Sequence, residues 1–168
     1  MDAAEIAGIK CLRLINESTA IALTYEYQKK NELSAGKQRI VAFIDFGHSK
    51  TCITFASFMQ GRIKILRQHS ERNLGARNID FLLFQTFLQE FKKKFGLDLN
   101  DNFRARLKML DAIEKLRKLL TANKEADIEV EALMEDEDFR RTLTRDELEK
   151  LLEPVIGSLQ GAIMQAVK

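Results

Sequence analysis

The residues best suited to chemistry stand at the end of an apolar run in the first third of the chain. Residues 40–44 (IVAFI) are rich in β-branched and aromatic side chains and lead directly into Asp45. Such a run predicts a strand that is buried on both faces. The polar turn that follows contains Gly47, His48, Ser49 and Lys50. Backbone N–H groups in this turn can face phosphate and the carboxylate can hold Mg²⁺ through its water shell; the alternative is a plain β-hairpin with an exposed aspartate.

A second set of polar side chains recurs at helical spacing in the second half of the chain. Its members are Glu114, Arg117, Lys118 and Thr121. Offsets of three, four and seven residues place these side chains on one face of a helix. On residue types alone, the set is an ordinary face of i,i+3 and i,i+4 ion pairs.

The turn after Asp45 is expected to join two strands of a three-stranded meander. Residues 51–58 form a second β-rich run, and residues 62–67 alternate apolar and charged side chains, which is typical of a strand with one wet face. Residues 59–61 contain a glycine and predict the turn between these strands. The next helix opens near Gly75 and carries an apolar stripe that belongs to a core. The stripe consists of Phe84, Phe87, Leu88, Phe91 and Phe95.

The start of the chain predicts a strand followed by a helix. Residues 9–15 (IKCLRLI) alternate apolar and polar side chains and predict the strand. Residues 20–27 predict the helix, with Asn16 or Ser18 as its N-cap. Glu17 lies in the first turn of this helix, where the macrodipole favours an acid.

The second half predicts a long helix followed by a β-hairpin. Asn100 or Asp101 is expected to cap the helix. Its expected buried stripe consists of Phe103, Leu107, Leu110, Ile113 and Leu120. Residues 126–134 and 139–143 are expected to pair around a solvated acidic turn that lacks the spacing of a calcium loop.

The last helix is expected to begin with a capping box at Thr144. Pro154 lies inside this helix and should kink or restart it, because proline cannot donate a backbone hydrogen bond. The apolar face expected after the proline consists of Val155, Ile156, Leu159, Ile163 and Val167.

Composition places the chain among globular proteins and excludes several classes of function. The chain has 168 residues, of which 45% are hydrophobic, and its formal net charge is +2. This charge does not indicate a general nucleic-acid binder. The two cysteines form no CxxC pair and predict a reduced, cytoplasmic setting. No apolar run is long enough to predict a membrane span.

Four motifs carry a resemblance to a known family. They are INESTAIAL from Ile15, DFGHSKTC from Asp45, LGARNID from Leu74 and EDEDFRRTLTRDELEKL from Glu135. The first three are similar to INEPTAAAI, DLGGGTFD and LGGEDFD in the ATPase domain of heat-shock chaperones. The fourth motif, and the His-Ser pair that replaces two glycines, resemble the large, hundred-and-ten-kilodalton branch. The resemblance implies an α/β, actin-like ATPase fold of the ribonuclease H-like type, and mainly the second lobe of that domain.

The resemblance also implies roles for residues in these motifs. Asp45 would hold Mg²⁺ through water, and Glu17 would help to position that ion. The nucleotide phosphates would lie against Gly47, His48, Ser49, Lys50, Gly75 and Ala76. The ribose, the two faces of the adenine and the ring edge would be contacted, in that order, by Glu114, by Arg117 with Lys118, and by Thr121. The implied ligands are ATP or ADP with Mg²⁺.

Several positions depart from the family pattern. Ser18 replaces a proline, and Ala76 replaces the second glycine of a pair. Lys50 and Cys52 replace a hydroxyl residue and an acid, and both changes weaken the attraction for Mg²⁺. Because phosphoryl transfer also needs a first-lobe loop and lysine that this sequence does not match, the chain alone is not expected to hydrolyse ATP. Weak ATPase activity of a full-length parent stays open.

Four segments follow from the resemblance. Residues 1–30 would be the tail of the first lobe, with its last strand and the helix that crosses between lobes. Residues 38–74 would form the first half of the second lobe's core sheet, and residues 75–152 its outer α/β subdomain. Residues 153–168 would be a truncated returning helix. Since the family's other loops and its peptide-binding domain have no counterpart here, the chain is expected to be a fragment, a truncated gene product or one lobe of a split protein.

The function implied is adenine-nucleotide binding within a large heat-shock co-chaperone that acts as a holdase and nucleotide-exchange factor. Its partners would be a seventy-kilodalton chaperone and, for the full-length parent, unfolded polypeptide, with no nucleic acid and no membrane. Two alternatives are a piece of a seventy-kilodalton ATPase itself and a partner-binding module without nucleotide. A kinase, suggested by Asp45-Phe46-Gly47, is disfavoured because the glycine-rich loop, strand lysine and HRD motif of kinases are missing.

Overall fold

The structure is a computed structural model that describes residues 1–33 and 36–167. The helices are α1 (Asp2–Ile6), α2 (Glu17–Lys29), α3 (Ala76–Phe95), α4 (Phe103–Leu120), α5 (Arg145–Leu151) and α6 (Glu153–Val167). The strands are β1 (Arg39–Phe46), β2 (Thr51–Met59), β3 (Arg62–Glu71), β4 (Glu125–Met134) and β5 (Glu137–Thr144). Short 3-10 turns at Lys30–Glu32 and Leu99–Asp101 complete the regular structure of the described residues.

The chain divides into two compact units. The first comprises Met1–Asp45, Cys52–Ser70 and the residues from Ala162 onward, and the second comprises Phe46–Thr51 and Glu71–Gly161. Each unit has its own hydrophobic cluster. The lobe and subdomain boundaries drawn from the family resemblance stay a prediction.

A three-stranded sheet in the order β1–β2–β3 forms the body of the first unit. β2, the central strand, is buried along almost its whole length, and Ala56 and Phe58 share a hydrophobic cluster with Ala22 of α2. Tyr25 of α2 contacts the rings of Phe43 and Phe58, with centroids 5.5 Å and 4.9 Å away. The predicted meander is therefore confirmed.

The prediction that β1 is buried on both faces is wrong. Val41 and Phe43 pack into the cluster under α2, but Ile40 and Ile44 on the other face are 61% and 50% exposed. The physical reason is that no element of the described residues covers the face that carries Ile40, Ala42 and Ile44. An apolar run shows that a strand can be buried, but it does not show whether another element covers it.

The strand predicted at residues 9–15 is also wrong. This segment has no regular structure, and Leu12 and Leu14 are exposed. A strand forms by pairing with another strand, and no strand of the described residues pairs with this segment. The helix that follows is confirmed: α2 begins after Asn16, one of the two expected N-cap residues, and extends to Lys29.

The second unit packs α3 and α4 against the antiparallel β4–β5 hairpin. The apolar stripe predicted on α3 is confirmed as core, with Phe95 partly buried at its end. The most deeply buried side chains are Leu83, Phe87, Phe91, Leu99, Met109, Ile113, Leu116 and Leu143. The hairpin turns at Glu135 and Asp136, whose φ angles of 49° and 62° are those of a tight two-residue turn.

The start and the buried face of α4 differ from the prediction. The N-cap is Asn102, whose side chain accepts a hydrogen bond from the Ala105 N–H at 3.1 Å, because Asn100 and Asp101 lie in the preceding 3-10 turn. Phe103 and Leu107 are 72% and 46% exposed. The buried face is formed by Ala105, Met109, Ile113, Leu116 and Leu120. The prediction followed the large apolar side chains near the helix start, but the buried face begins at the smaller Ala105 instead.

The end of the chain follows the prediction in part. Thr144 caps α5 by accepting a hydrogen bond from the Glu147 N–H at 3.2 Å. The helix ends at Leu151 and restarts as α6, with Pro154 in the first turn, where its missing N–H is harmless. The expected apolar face is wrong at Ile156 and Val167, which are exposed. The small residues Ala162 and Ala166 are buried instead, and partly buried Val155, Leu159 and Ile163 accompany them.

Across the described residues, none of the helices has both the length and the apolar character that crossing a membrane requires.

Candidate functional site

Backbone hydrogen bonds fix the turn after β1 to the start of α3. The Gly47 N–H donates to the Lys50 carbonyl at 3.0 Å and closes the turn. The N–H groups of Ala76 and Arg77 donate to the carbonyls of Gly47 and His48, both at 2.9 Å. The first turn of α3 therefore holds residues 47–50 through main-chain hydrogen bonds.

Gly75 is needed at this joint because there is no room for a side chain. A Cβ at this position would lie 2.5 Å from the His48 carbonyl oxygen and 2.7 Å from that of Gly47. Its backbone is extended, so the requirement is one of space and not of torsion. The neighbouring Thr51 is fully buried, and its hydroxyl donates to the Leu74 carbonyl at 2.8 Å.

The same hydrogen bonds decide which amides could meet a phosphate. The Gly75 N–H donates to Asn78 Oδ1 at 2.9 Å, and the Ala76 N–H donates to Gly47. These two amides, which the family resemblance assigns to phosphate, are engaged within the protein. A phosphate beside this joint would have to be met by the turn of residues 47–50 instead.

A cleft of about 430 Å³ opens beside the joint, within the second unit. It is lined by His48 of the turn, by Arg77, Asn78, Asp80 and Phe81 of α3, and by Leu110, Asp111 and Glu114 of α4. Phe81 and Leu110 provide apolar surface, and most of the other lining groups are charged or polar. A volume of this size falls in the range of small-molecule sites.

Glu114 brings an ionised carboxylate to this cleft. Its carboxylate accepts a contact from Lys118 Nζ at 2.7 Å, one helical turn away. This hydrogen bond and the charge of Lys118, with smaller contributions from Arg117 and His48, hold the pKa of Glu114 below its ordinary value. A carboxylate in this state can accept hydrogen bonds from hydroxyl groups of a ligand.

The other predicted members of the α4 face are used within the protein. Arg117 Nε donates to Asp80 Oδ1 at 2.6 Å, and Arg117 Nη2 donates to Asp80 Oδ2 at 3.3 Å, so this pair ties α4 to α3. The Thr121 hydroxyl donates to the Lys118 carbonyl at 2.6 Å in the last turn of α4. Of the four residues, Glu114 alone lines the cleft among the described residues.

The end of α4 is fixed from outside the helix. The Arg145 guanidinium donates to the carbonyls of Leu120, Thr121 and Asn123 at 3.1, 3.2 and 2.9 Å. A cation in this place satisfies carbonyl groups that a helix end leaves without partners. With the Arg117–Asp80 pair, it sets where Glu114 lies relative to His48.

The two residues predicted to act near the metal lie in the first unit. Asp45 is the last-but-one residue of β1, and Glu17 is the first residue of α2; both are exposed. Cys52 is buried, and its sulfur accepts contacts from Gln68 Nε2 at 3.3 Å and Ser70 Oγ at 3.4 Å. In the part of the chain that the structure describes, no three histidine, cysteine or acidic residues are grouped as metal ligands. The metal role of Asp45 stays a prediction, because Mg²⁺ at nucleotide sites is commonly held by one or two carboxylates together with water and phosphate.

The sequence pointed to His48 and Glu114 but missed most of the cleft lining. Asp80, Phe81 and Asp111 were not singled out, although helical spacing offered a signal. Asp80 and Phe81 lie one turn after Arg77 on α3, and Asp111 lies one turn before Glu114 on α4.

Comparison with known proteins shows which family the chain resembles. The sequence model of the family described as Hsp70 protein matches residues 1–168. The chain is 39% identical over 168 residues to a heat shock protein homolog of the yeast Lachancea kluyveri, covering 99% of this chain and 24% of that protein. It is 38% identical over 167 residues to heat shock 70 kDa protein 14 of Arabidopsis thaliana, covering 99% and 20%. A heat shock protein homolog of Saccharomyces cerevisiae is 37% identical over 168 residues, with 99% and 24% covered.

The chain thus spans about a quarter or less of the length of these curated relatives. The two yeast homologs are members of the large branch, as the resemblance predicted. The mixture of helices and antiparallel strands agrees with the α/β, actin-like ATPase fold that the motifs implied. The resemblance is confirmed: the chain belongs to the Hsp70 protein family.

Proposed function

We propose that this chain binds an adenine nucleotide in the cleft between the turn after β1 and the α3–α4 pair. The observation that carries the proposal is the approach of His48 and Glu114 to one cleft of about 430 Å³. Glu114 would accept hydrogen bonds from the ribose hydroxyls, and the apolar surface of Phe81 and Leu110 would contact the base. The phosphates would extend toward the turn that holds His48, Ser49 and Lys50.

Binding is expected to be weak in this chain. The cleft is open between the turn and the α3–α4 pair, so a ligand must be ordered without an element of the described residues that closes over it. The Ala76 and Gly75 amides are engaged within the protein, which leaves fewer donors for phosphate. Mg²⁺ would accompany the nucleotide, since the described residues group no ligand set for the ion alone.

Calorimetry with ADP tests the proposal. Glu114→Ala should weaken binding about tenfold, because a charged hydrogen bond to the ribose is lost. Glu129 is a matched control: its carboxylate contacts Arg140 at 2.7 Å and its side chain is 51% exposed, against 2.7 Å and 52% for Glu114 with Lys118. Glu129→Ala should leave binding unchanged. Equal affinity of wild type and Glu114→Ala would contradict the proposal.

The partner-binding alternative has an observation in its favour. Arg117 and Thr121, two of the four residues expected around adenosine, already bind groups of the protein. A module that presents α4 to another protein would show the same pairs. Absence of any calorimetric signal with ADP or ATP would favour this second candidate.

For the whole protein, we propose a large heat-shock co-chaperone of the cytoplasm that holds unfolded polypeptide and promotes nucleotide exchange on a seventy-kilodalton chaperone. The support is similarity to the two yeast homologs of the large branch over nearly the whole chain. Accelerated release of a fluorescent nucleotide from a seventy-kilodalton chaperone by the full-length protein is the expected result. Unchanged nucleotide release would count against the exchange role, but it would not contradict the proposal that the cleft binds an adenine nucleotide.

A further inference from the structure

The cleft of the second unit carries unlike charges on its two sides. The helix α4 brings the carboxylates of Asp111 and Glu114 to the lining. On the other side, the turn after β1 brings His48, and the first turn of α3 brings Arg77. Asp80 also lines the cleft, but both of its oxygens already accept hydrogen bonds from a guanidinium of α4. The α4 side is therefore acidic, and the side beside the turn carries the cation of Arg77.

Arg77 is joined to the turn through its main chain. Its N–H donates to the His48 carbonyl at 2.9 Å, and the residue lines the same cleft as Glu114. A nucleotide whose ribose contacts Glu114 and whose phosphates extend toward the turn must therefore pass beside Arg77. Because a phosphate and a carboxylate repel each other, the acidic α4 side favours this direction of the nucleotide over the reverse one.

The Arg77 guanidinium has donors available for an anion. Among the described residues, Nη2 donates to Asn73 Oδ1 at 3.1 Å, and no acidic side chain forms an ion pair with Arg77. A guanidinium carries five N–H donors in a planar fork that matches the oxygens of a phosphate. The hydrogen bond to a neutral amide therefore leaves the charge uncompensated and most of the donors available for a charge-assisted contact.

The main chain at the start of α3 does not compete for this role. The N–H of Gly75 donates to Asn78 Oδ1, and those of Ala76 and Arg77 donate to carbonyls of the turn. A phosphate that approaches this end of α3 meets a side-chain cation instead of unpaired amides. Such a contact is held by charge, so salt should weaken it more than it weakens the contacts of an uncharged nucleoside.

We propose that Arg77 binds the phosphate groups of the nucleotide and thereby makes the cleft prefer nucleotides to nucleosides. This inference rests on the proposed function, and it assigns Arg77 a role that the family resemblance did not give it. Glu114 receives the hydroxyl groups of the ribose, and Arg77 receives the charged end of the same ligand. The two side chains together fix the direction of the nucleotide in the cleft.

Calorimetry with ADP and with adenosine separates the two contacts, because adenosine has the ribose and the base but no phosphate. Mg²⁺ is left out so that it does not compensate the phosphate charge. The wild type should bind ADP about fivefold more tightly than adenosine, since it gains an exposed, charge-assisted contact. Arg77→Ala should lower the affinity for ADP about fivefold and leave the affinity for adenosine unchanged. Glu114→Ala should lower both affinities.

Arg104 offers a matched control. Arg77 and Arg104 are each the second residue of their helix, α3 and α4, and both are exposed. Arg104→Ala removes the same charge from an equivalent helical position, but Arg104 is not among the described residues that line the cleft. This variant should leave the affinity for ADP unchanged. Circular dichroism of both arginine variants checks that their helices are intact.

Salt gives a second reading of the same contact. A higher salt concentration should lower the affinity of the wild type for ADP, because a solvent-exposed charge pair is screened. The affinity of Arg77→Ala for ADP should respond much less. The affinity of either protein for adenosine should not respond, since adenosine carries no charge. An equal salt response of ADP binding in the wild type and in Arg77→Ala would contradict the role of Arg77.

The remaining outcomes separate this inference from the proposed function. Equal affinities of the wild type for ADP and adenosine, or equal losses of ADP binding in Arg77→Ala and Arg104→Ala, would overturn the role of Arg77. If Glu114→Ala still weakened adenosine binding in that case, the proposed nucleotide cleft would stand. An effect of Arg77→Ala on ADP without any effect of Glu114→Ala would support the phosphate contact and contradict the ribose contact. No binding of either ligand by the wild type would overturn both.

Discussion

The cleft has two walls that are held by different kinds of interaction: a loop wall, formed by residues 47–50 and the start of α3, and an α4 wall, formed by the side chains of α4. On the loop side, main-chain hydrogen bonds join residues 47–50 to the first turn of α3, and Gly75 is pressed against two carbonyl oxygens. On the α4 side, Glu114 faces the cleft and pairs with Lys118, whereas Arg117 pairs with Asp80 and anchors α4 to α3. A main-chain joint depends on the one residue that must stay small, whereas a side-chain wall depends on the identity and charge of each residue.

This difference explains where the sequence departs from the family pattern. His48 and Ser49 stand where the resemblance has two glycines, and Ala76 stands where it has a third. The main-chain joint has no room for a side chain at Gly75, and none of these three replacements is at that position. The loop wall can therefore keep its shape while its phosphate chemistry changes.

The largest expected effect is a break of the main-chain joint. Gly75→Ala places a Cβ within 2.5–2.7 Å of two carbonyl oxygens, so the loop or the helix start must move. We expect the free energy of unfolding to fall by about 1–3 kcal/mol, as for other overpacked sites. Urea denaturation followed by circular dichroism measures the change.

Gly157→Ala is the control for this experiment. Gly157 lies in α6, and a Cβ there would meet no atom within 4 Å. Alanine in an open helical site should stabilise the chain by about 0.5–1 kcal/mol. If both substitutions changed stability equally, the close packing of the joint would not be what holds it.

The next effect concerns the anchor of the side-chain wall. Asp80→Ala and Arg117→Ala should each lower the free energy of unfolding by about 1–3 kcal/mol, because each leaves a half-buried charged partner without its two hydrogen bonds. The double variant should cost less than the sum of the two. Arg117→Lys should restore little, since an ammonium cannot bind both carboxylate oxygens in the same fork. Additive losses would show that the pair does not act as a unit.

Local periodicity was enough to predict much of the fold. The buried stripe of α3, the restart at Pro154 and the turn between β2 and β3 all depend on residues close in sequence. The failures at β1 and at residues 9–15 have a common cause, which is that strand pairing and burial depend on which distant segments are present. The buried face of α4 failed for a different reason, because Ala105 marks it more reliably than the exposed Phe103.

The sequence indicated only those residues of the candidate site that match a motif of the family. His48 and Glu114 were found through the family resemblance, and the structure brings both to one cleft. The contributions of Asp80 and Phe81 depend on how α3 packs against α4, which no local pattern in the sequence fixes. The same packing gives Arg117 a carboxylate partner within the protein, which its position on the helix did not reveal.

A smaller effect is the pH dependence of the Glu114–Lys118 pair in the α4 wall. Because Lys118 holds the pKa of folded Glu114 below its ordinary value, the pair stabilises the fold above that ordinary value and loses this contribution as the pH falls through the lowered one. Lys118→Ala should raise the pKa of Glu114 toward its ordinary value. NMR titration of the carboxyl carbons measures this. Asp98, whose pKa is lowered by Lys92, should not move in the same variant, and a shift at both sites would indicate a general change in the fold.

The smallest expected effect is on ATP turnover, which should not rise above the buffer rate. Phosphoryl transfer depends on positioning and on stabilising charge around the transferring group from several directions. The main-chain joint engages the Gly75 and Ala76 amides, and the α4 wall offers Glu114, a carboxylate that does not neutralise phosphate charge. Lys50 can attract phosphate as a point charge, but it cannot hold Mg²⁺, and Cys52 is buried among polar partners of the sheet. Phosphate release from ATP and Mg²⁺ should therefore be the same for the wild type, for Asp45→Ala and for buffer. Turnover that is present in the wild type and lost in Asp45→Ala would show instead that the chain assembles a working site, and the two walls would then have to be joined by groups from a second copy.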